Sequence, residues 1–128
     1  MEKHVIRTET APAPFQGAPY NQAIVAGGLV FVAGQLGLKP GDTTVEGDIA
    51  EQTEQALQNV KAILEAAGSS LDALVKTSVF LMDLADFPAM NDVYARYAGD
   101  EPPARSTFQV AMLPAGARVE IEAVAHLE

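Results

Sequence analysis

The sequence predicts an α+β fold: one mixed six-stranded sheet with two helices packed on one face. Three observations lead there. Six runs have strand character, and the last two, 103–110 and 119–125, alternate polar and apolar residues with the period of two that gives a strand two unlike faces. Two other runs repeat apolar residues at the 3.6-residue spacing of a helix. Along the chain the order is β-β-β-α-β-α-β-β, and strands on both sides of two helices form one sheet most simply with both helices on the same side. The 128 residues read as a single domain, 1–128, large enough for one core.

Residues 3 to 8 read as a short strand. The next stretch, Ala11 to Tyr20, holds Pro12, Pro14, Pro19 and Gly17, a composition that excludes regular structure. Its aromatics Phe15 and Tyr20 suggest a loop folded over the sheet, walling a pocket. Residues 21–26 and 29–35 form two strands joined at Gly27-Gly28, where paired glycines supply the positive φ angles of a tight hairpin. On the second of these strands Leu29, Phe31, Ala33 and Gln35 are expected on one face and Val30, Val32 and Gly34 on the other. Gly34 inside a strand marks either a bulge or the close approach of backbone or ligand. Lys39-Pro40-Gly41-Asp42 reads as a turn.

The first helix begins at Asp48. Ile49, Ala56, Leu57, Val60, Ile63, Leu64 and Ala67 make its apolar stripe, Asp48 and Glu51 form a capping-box pattern, and Gly68 supplies the stop. The opposite face, with Glu51, Gln52, Glu54, Gln55, Gln58 and Lys61, is expected in solvent. Residues 73–82 form a β-branched, mostly buried strand. A second helix follows, with Asp86 as its expected N-cap, Pro88 in the first turn, and a stripe of Phe87, Met90, Tyr94 and Tyr97. Asn91 lies at the edge of that stripe. A half-buried amide there needs partners, either nearby backbone or a ligand. Pro102-Pro103 then delivers the chain to the 103–110 strand, and Pro114 and Gly116 turn it into the last one.

Composition narrows the function. There are 17 acidic and 8 basic residues, a formal charge of −9. Nucleic-acid binding rests on neutralising phosphates with Lys and Arg, which are few and scattered here. No apolar run reaches the roughly 18 residues of a membrane span. The N-terminal residues show no secretory pattern, which fits a cytoplasmic protein. With no cysteine there is no disulfide, thiolate nucleophile or Cys-based metal site, and His4 and His126 at opposite ends offer no metal-ligand spacing.

The chemistry-bearing residues lie in the last two strands. Arg105, Thr107 and Gln109 share one face, and Glu120 and Glu122 share another. Arg with Thr near a pair of carboxylates could form a small anion-binding, acid–base site; the same pattern also describes plain solvated strand faces. If the two strands formed a simple hairpin across 113–116, Arg105 and Glu120 would fall four residues, about 13 Å, out of register. A shared site then needs another strand order or a Glu120 from a neighbouring subunit. The sheet face away from the helices carries enough apolar residues to need covering, so the chain is expected to oligomerise through it, with any polar cluster there at a subunit boundary.

Over essentially its whole length the sequence resembles the reactive intermediate deaminase (Rid, or YjgF) family. The resemblance is carried by Ala18-Pro19-Tyr20, by 31–35 (Phe-Val-Ala-Gly-Gln), 59–68 and 75–80, by 83–87 with Asn91 and Tyr94, by Pro103-Ala104-Arg105-Ser106 and by 119–123. It implies a chorismate-mutase-like fold and a homotrimer with pockets between subunits. The implied activity is hydrolysis of 2-iminopropanoate, 2-iminobutanoate and similar imino or enamine acids to 2-keto acids and ammonia, without cofactor or metal. Arg105 matches the family's substrate-carboxylate arginine, suited to bidentate grip. Glu120 matches the catalytic glutamate that would activate water. Thr107, Tyr20, Gly34 and Asn91 match positions that bind or wall the substrate. Thr107 stands where the best-known members have Cys, and Ala33 replaces a Ser seen in some, which leaves the preferred substrate open. A related deaminase acting on 3-aminoacrylate or 2-aminomuconate, and a non-catalytic trimer binding small carboxylates, are the alternatives. RNA is a further, weaker partner within the family, against the charge.

Overall fold

A computed structural model describes residues 2–128. Three strands open the chain, β1 (His4–Ile6), β2 (Ala23–Ala26) and β3 (Leu29–Leu36), paired antiparallel in sequence order. Gly27 and Gly28 take φ of 60° and 78°, left-handed values open to glycine at little cost, and Ala26 pairs with Leu29 to close the hairpin. The proline-rich segment before β2 is held by one buried side chain. Gln22 Nε2 donates to the carbonyls of Thr8, Ala11 and Pro12 at 3.0, 3.2 and 2.8 Å, and its Oε1 accepts from Thr8 N–H at 2.7 Å. A segment without strand or helix partners thus has its backbone groups met by an amide.

Helix α1 (Ile49–Ala66) starts with the expected capping box. Glu51 N–H donates to Asp48 Oδ1 at 2.9 Å, and Asp48 N–H donates back to Glu51 Oε1 at 3.2 Å. Ala56, Leu57, Val60, Ile63 and Leu64 are buried against the sheet. Gln52, expected in solvent, is buried instead. Gly37 explains this: a Cβ there would lie 2.6 Å from Gln52 Cα, so the missing side chain lets the strand-exit backbone press on the first turn of α1. The enclosed amide then serves the backbone, donating to Gly47 C=O at 2.9 Å and accepting from Arg118 N–H at 2.8 Å. Asn59, also buried, donates to Leu36 and Leu38 carbonyls at 3.1 and 2.8 Å.

After α1 come β4 (Leu74–Leu81), α2 (Phe87–Ala98), β5 (Ala104–Gln109) and β6 (Val119–His126). Asp86 occupies the position before α2 but does not cap it. Its backbone is already helical, continuing a 3₁₀ turn at 84–86, and its carboxylate accepts two hydrogen bonds from Arg118 Nη2, both 2.8 Å. The sheet order is β1-β2-β3-β6-β4-β5, with β4 and β5 parallel and every other neighbouring pair antiparallel. The last strand therefore enters the middle of the sheet, and the fifth becomes an edge.

On the helix side, Val30, Val32, Val79, Leu81, Val119, Ile121, Ala123 and Ala125 meet Leu57, Val60, Ile63, Leu64, Met90 and Val93. The far side is only partly covered. Leu36, Leu38, Leu113 and Ala117 form a smaller cluster with Phe15, Phe80 and Met82, while Phe31 and Phe108 remain 45% and 54% exposed. Alternation on β3 does not run through as expected. Val32 pairs with Ala123 but Gln35 pairs with Ile121, so three steps on β3 match two on β6. This bulge reverses the faces beyond it. Gly34 therefore lies on the far side instead of beside Val30 and Val32, and Gln35 is buried on the helix side. Among the described residues, no helix is long and apolar enough to cross a membrane.

Candidate active site

Two clusters of chemistry-bearing residues form on opposite sides of the sheet. The first is built on the edge strand. Thr77, Val79 and Leu81 of β4 face the helices and pair with Arg105, Thr107 and Gln109, so these three share the helix side, as their alternation indicates. Arg105 lies against α2. Its guanidinium carbon is 4.7 Å from the Tyr94 ring centroid and 5.4 Å from that of Phe87, within reach for cation–π attraction. The Tyr94 hydroxyl is fixed from below by Thr77 Oγ1 at 2.6 Å. Among the described residues, no carboxylate comes within ion-pair distance of Arg105. Its charge is positioned by rings that do not neutralise it.

Asn91, one turn before Tyr94, lines the same cavity of ≈ 390 Å³ as Arg105. Its Oδ1 is buried and has no hydrogen-bond partner among the described residues. The backbone-capping role that a half-buried amide could have played is absent. A buried acceptor left unmatched costs about 1–3 kcal/mol, which a donor arriving with a ligand would recover. Thr107 shares the face of Arg105 but does not line this cavity, and Gln109 Oε1 accepts from Leu84 N–H at 2.9 Å.

The second cluster faces the other way. Glu120 pairs with Leu36 on one side and Phe80 on the other, in the far-side row of β6. Its carboxylate fills the place of the side chain that Gly34 lacks: a Cβ on Gly34 would lie 2.1 Å from Glu120 Oε2. Of the two sequence readings of Gly34, the bulge is present, and the close neighbour is the Glu120 side chain instead of backbone or a ligand. Burial raises the pKa of Glu120 above the usual carboxylate range, and repulsion from Glu122 on the same face raises it further. Tyr20 and Gly34 line one small crevice with Phe15 and Leu36, and the Tyr20 hydroxyl accepts from Phe15 N–H at 2.6 Å.

Strand order decides how these clusters relate. Arg105 and Ala123 both stand level with Thr77, while Glu120 and Phe108 both stand level with Phe80. Within one chain Arg105 and Glu120 are thus three residues apart along the strands, about 10 Å, two strand spacings apart across them, about 9.5 Å, and on opposite faces. The simple hairpin considered from sequence does not form, because β4 lies between the two strands. The sheet brings Tyr20, Gly34 and Glu120 together, and Arg105 with Asn91, but does not bring the two groups together. The ring support for Arg105 was not anticipated: Phe87 and Tyr94 read simply as a core stripe. Their seven-residue spacing on one helix face was the available signal.

Residues 8–127 match the family model described as endoribonuclease L-PSP. The chain belongs to the Rid/YjgF family that this model defines. It is 50% identical to a RutC family protein of Pyrococcus horikoshii over 98% of this chain and 99% of that one. It is 46% identical to the 2-iminobutanoate/2-iminopropanoate deaminase of Bos taurus, covering 98% of this chain and 90% of the relative. The solved RidA of an Antarctic Psychrobacter superposes with a TM-score of 0.91 at 41% identity, over 97% of this chain and 99% of that one. The six-stranded mixed sheet with two helices on one side, expected from sequence, is the fold of this Rid family member.

Proposed function

We propose that the chain hydrolyses small 2-imino and enamine carboxylic acids, foremost 2-iminopropanoate and 2-iminobutanoate, to 2-keto acids and ammonia. The sites would lie between subunits of a homotrimer. The observation that carries this reading is the complementary incompleteness of the two faces. Among the described residues, one holds an arginine with no acid within ion-pair distance and the other a carboxylate of raised pKa with no cation within that distance. Joined across a subunit boundary they make a carboxylate anchor and a base. The family relation and the relative's activity point to the same chemistry. Covering Phe31 and Phe108 on assembly would contribute about 1.5–3 kcal/mol each.

In this reading Arg105 takes the substrate carboxylate in a bidentate pair. A water held by Glu120 of the neighbouring chain gives up a proton to the Glu120 carboxylate as its oxygen bonds to the C=N carbon, and Glu120 passes that proton to the nitrogen as the π bond opens, giving the neutral carbinolamine. Collapse of the carbinolamine breaks the C–N bond and forms C=O. Glu120 takes the hydroxyl proton of the carbinolamine in that collapse and delivers it to the departing nitrogen, which leaves as ammonia. An imine carbon is already electrophilic, so orientation and one base suffice. Asn91 Oδ1 would accept a hydrogen bond from the substrate, while Tyr20 and the Gly34 backbone wall it and Thr107 borders it on the arginine side.

Coupling a threonine dehydratase to this protein and following 2-ketobutyrate release tests the proposal. Wild type accelerates release, and Arg105→Ala loses at least a hundredfold in that acceleration while remaining folded. Retained acceleration in Arg105→Ala refutes the anchor, and none with wild type refutes the imine substrate.

A further inference from the structure

The proposed substrates are of two kinds that differ in the place of one proton. A 2-imino acid presents a C=N bond ready for water. A 2-enamine acid has a C2=C3 bond instead, and its C2 is not electrophilic. Water adds only after C3 has gained a proton and the enamine has become an iminium ion. A site that takes enamines as such therefore needs an acid that reaches C3, besides the base that activates water.

The far side of the sheet offers one group suited to both tasks. Glu120 stands between Leu36 and Phe80, half-buried, its carboxylate seated where Gly34 has no side chain. Among the described residues, no cation lies within ion-pair distance of it. Burial, and then the charge of Glu122, favour its protonated form. The other titratable groups of that face are engaged or distant. Lys76 lies four residues along β4 from Phe80, about 13 Å, and its Nζ donates to Ser106 Oγ at 3.1 Å. The Tyr20 hydroxyl oxygen is taken by Phe15 N–H at 2.6 Å. Glu122 is exposed, and His126, six residues along β6, is about 20 Å away. The Gly34 seat also holds Glu120 to one side, so a planar enamine meets this acid on one face only.

We infer that Glu120 protonates C3 of enamine acids before it activates water, which makes the site an enamine–imine isomerase as well as a deaminase. This inference rests on the deaminase reading and adds a step ahead of it. The Glu120 O–H bond breaks and its proton joins C3 through the C=C electron pair, while the nitrogen lone pair forms C=N. The resulting carboxylate takes a proton from water as the oxygen bonds to C2, and the C=N pair returns to nitrogen, giving the neutral carbinolamine. On collapse Glu120 gives that proton to the departing nitrogen and takes the hydroxyl proton, ending as the acid it began as.

The test uses the wild-type protein in D2O with threonine dehydratase, whose product from threonine is the enamine 2-aminocrotonate. Adding a deuteron makes C3 of the resulting 2-oxobutanoate a stereocentre. Lactate dehydrogenase reduces it to 2-hydroxybutanoate, and deuterium NMR counts the two C3-labelled diastereomers. Isomerisation in bulk solvent has no preferred face, and dehydratase alone sets the baseline. Adding the protein is expected to raise one diastereomer over the other by about tenfold or more beyond that baseline. The excess falls as pH rises and Glu120 loses its proton, whereas hydrolysis of imine supplied ready-made by an amino-acid oxidase from 2-aminobutyrate rises. Tyr20→Phe keeps the excess. Faster 2-oxobutanoate release with the baseline diastereomer ratio overturns the isomerase step and leaves the deaminase reading standing. No faster release from enamine or imine overturns both. Loss of the excess in Tyr20→Phe while imine hydrolysis persists moves the donor to Tyr20 and refutes this role of Glu120.

Discussion

The two sides of the sheet treat a charge in opposite ways. On the helix side Arg105 lies over two aromatic rings, in cation–π contacts that fix its direction. On the far side Glu120 is half-buried against Gly34 with a second carboxylate nearby, and both effects disfavour its anionic form. One side stabilises its charge without neutralising it, and the other makes its charge costly. Each is therefore poor as a finished surface and suited to meeting the other. Under the proposed function, each subunit would carry two halves of a site that it does not join itself.

Mixing subunits gives the sharpest way to break this comparison. Neither Arg105→Ala nor Glu120→Gln is expected to turn over imine alone at more than about a hundredth of the wild-type rate. Mixed chains refolded or expressed in equal amounts would regain about a quarter of wild-type activity, since in a cyclic assembly that fraction of boundaries joins an intact Arg105 to an intact Glu120. No recovery in mixed trimers would mean that both residues serve one chain's site.

Gly34→Ala probes the far side alone. The new Cβ meets the movable end of Glu120, so the chain folds and the carboxylate swings aside. A displacement of about 1 Å at a base costs up to about a hundredfold in kcat. Unchanged kcat with a crystal structure showing Glu120 in place would remove its tight seat from the argument.

Glu122→Gln sharpens the comparison through pH. As the proposed base Glu120 would act as its anion, so kcat is expected to rise with pH through its raised pKa, and removing the Glu122 charge to move that limb to lower pH. Burial is the larger cause of the raised value and remains, so the limb stays above the ordinary glutamate range. The same shift has a stability sign. With a folded pKa above the unfolded one, the native state holds more protons between the two values, and stability falls as pH rises through that window. Glu120→Gln removes this fall, which thermal melts at pH 4 and pH 7 would show as a smaller loss than in wild type.

The smallest effect belongs to the arginine's support. Tyr94→Phe keeps the ring under Arg105 but deletes the bond to the buried Thr77 hydroxyl, at a cost of about 1–3 kcal/mol in stability. KM should stay within about twofold of wild type. A large rise in KM would assign the hydroxyl a part in the site that its burial denies it.

Much of the fold was legible because it is local. The Asp48–Glu51 box, the Gly27-Gly28 hairpin and the alternating faces of β5 and β6 follow from residues a few positions apart, and all appear as read. Arg105 and Glu120 were legible as chemistry, by residue type and by resemblance. The exceptions were positions whose neighbours are distant. Gln52 looked solvated until Gly37 allowed a strand exit to close over it, and Asp86 looked like a cap until Arg118, far along the chain, took its carboxylate. The bulge at 33–34, which turns Gly34 toward Glu120, shows only when β3 is paired with β6.

By itself the sequence determined the elements, their two-faced character and the residues able to do chemistry, because turns, caps and side-chain alternation depend on short stretches of chain. Only the tertiary structure decided that β6 inserts between β3 and β4, that β5 is an edge, and that Arg105 and Glu120 stand on opposite sides of the sheet. Alternation says that a strand has two faces, but which face meets the helices is chosen by pairings between residues tens of positions apart, and no local pattern records them.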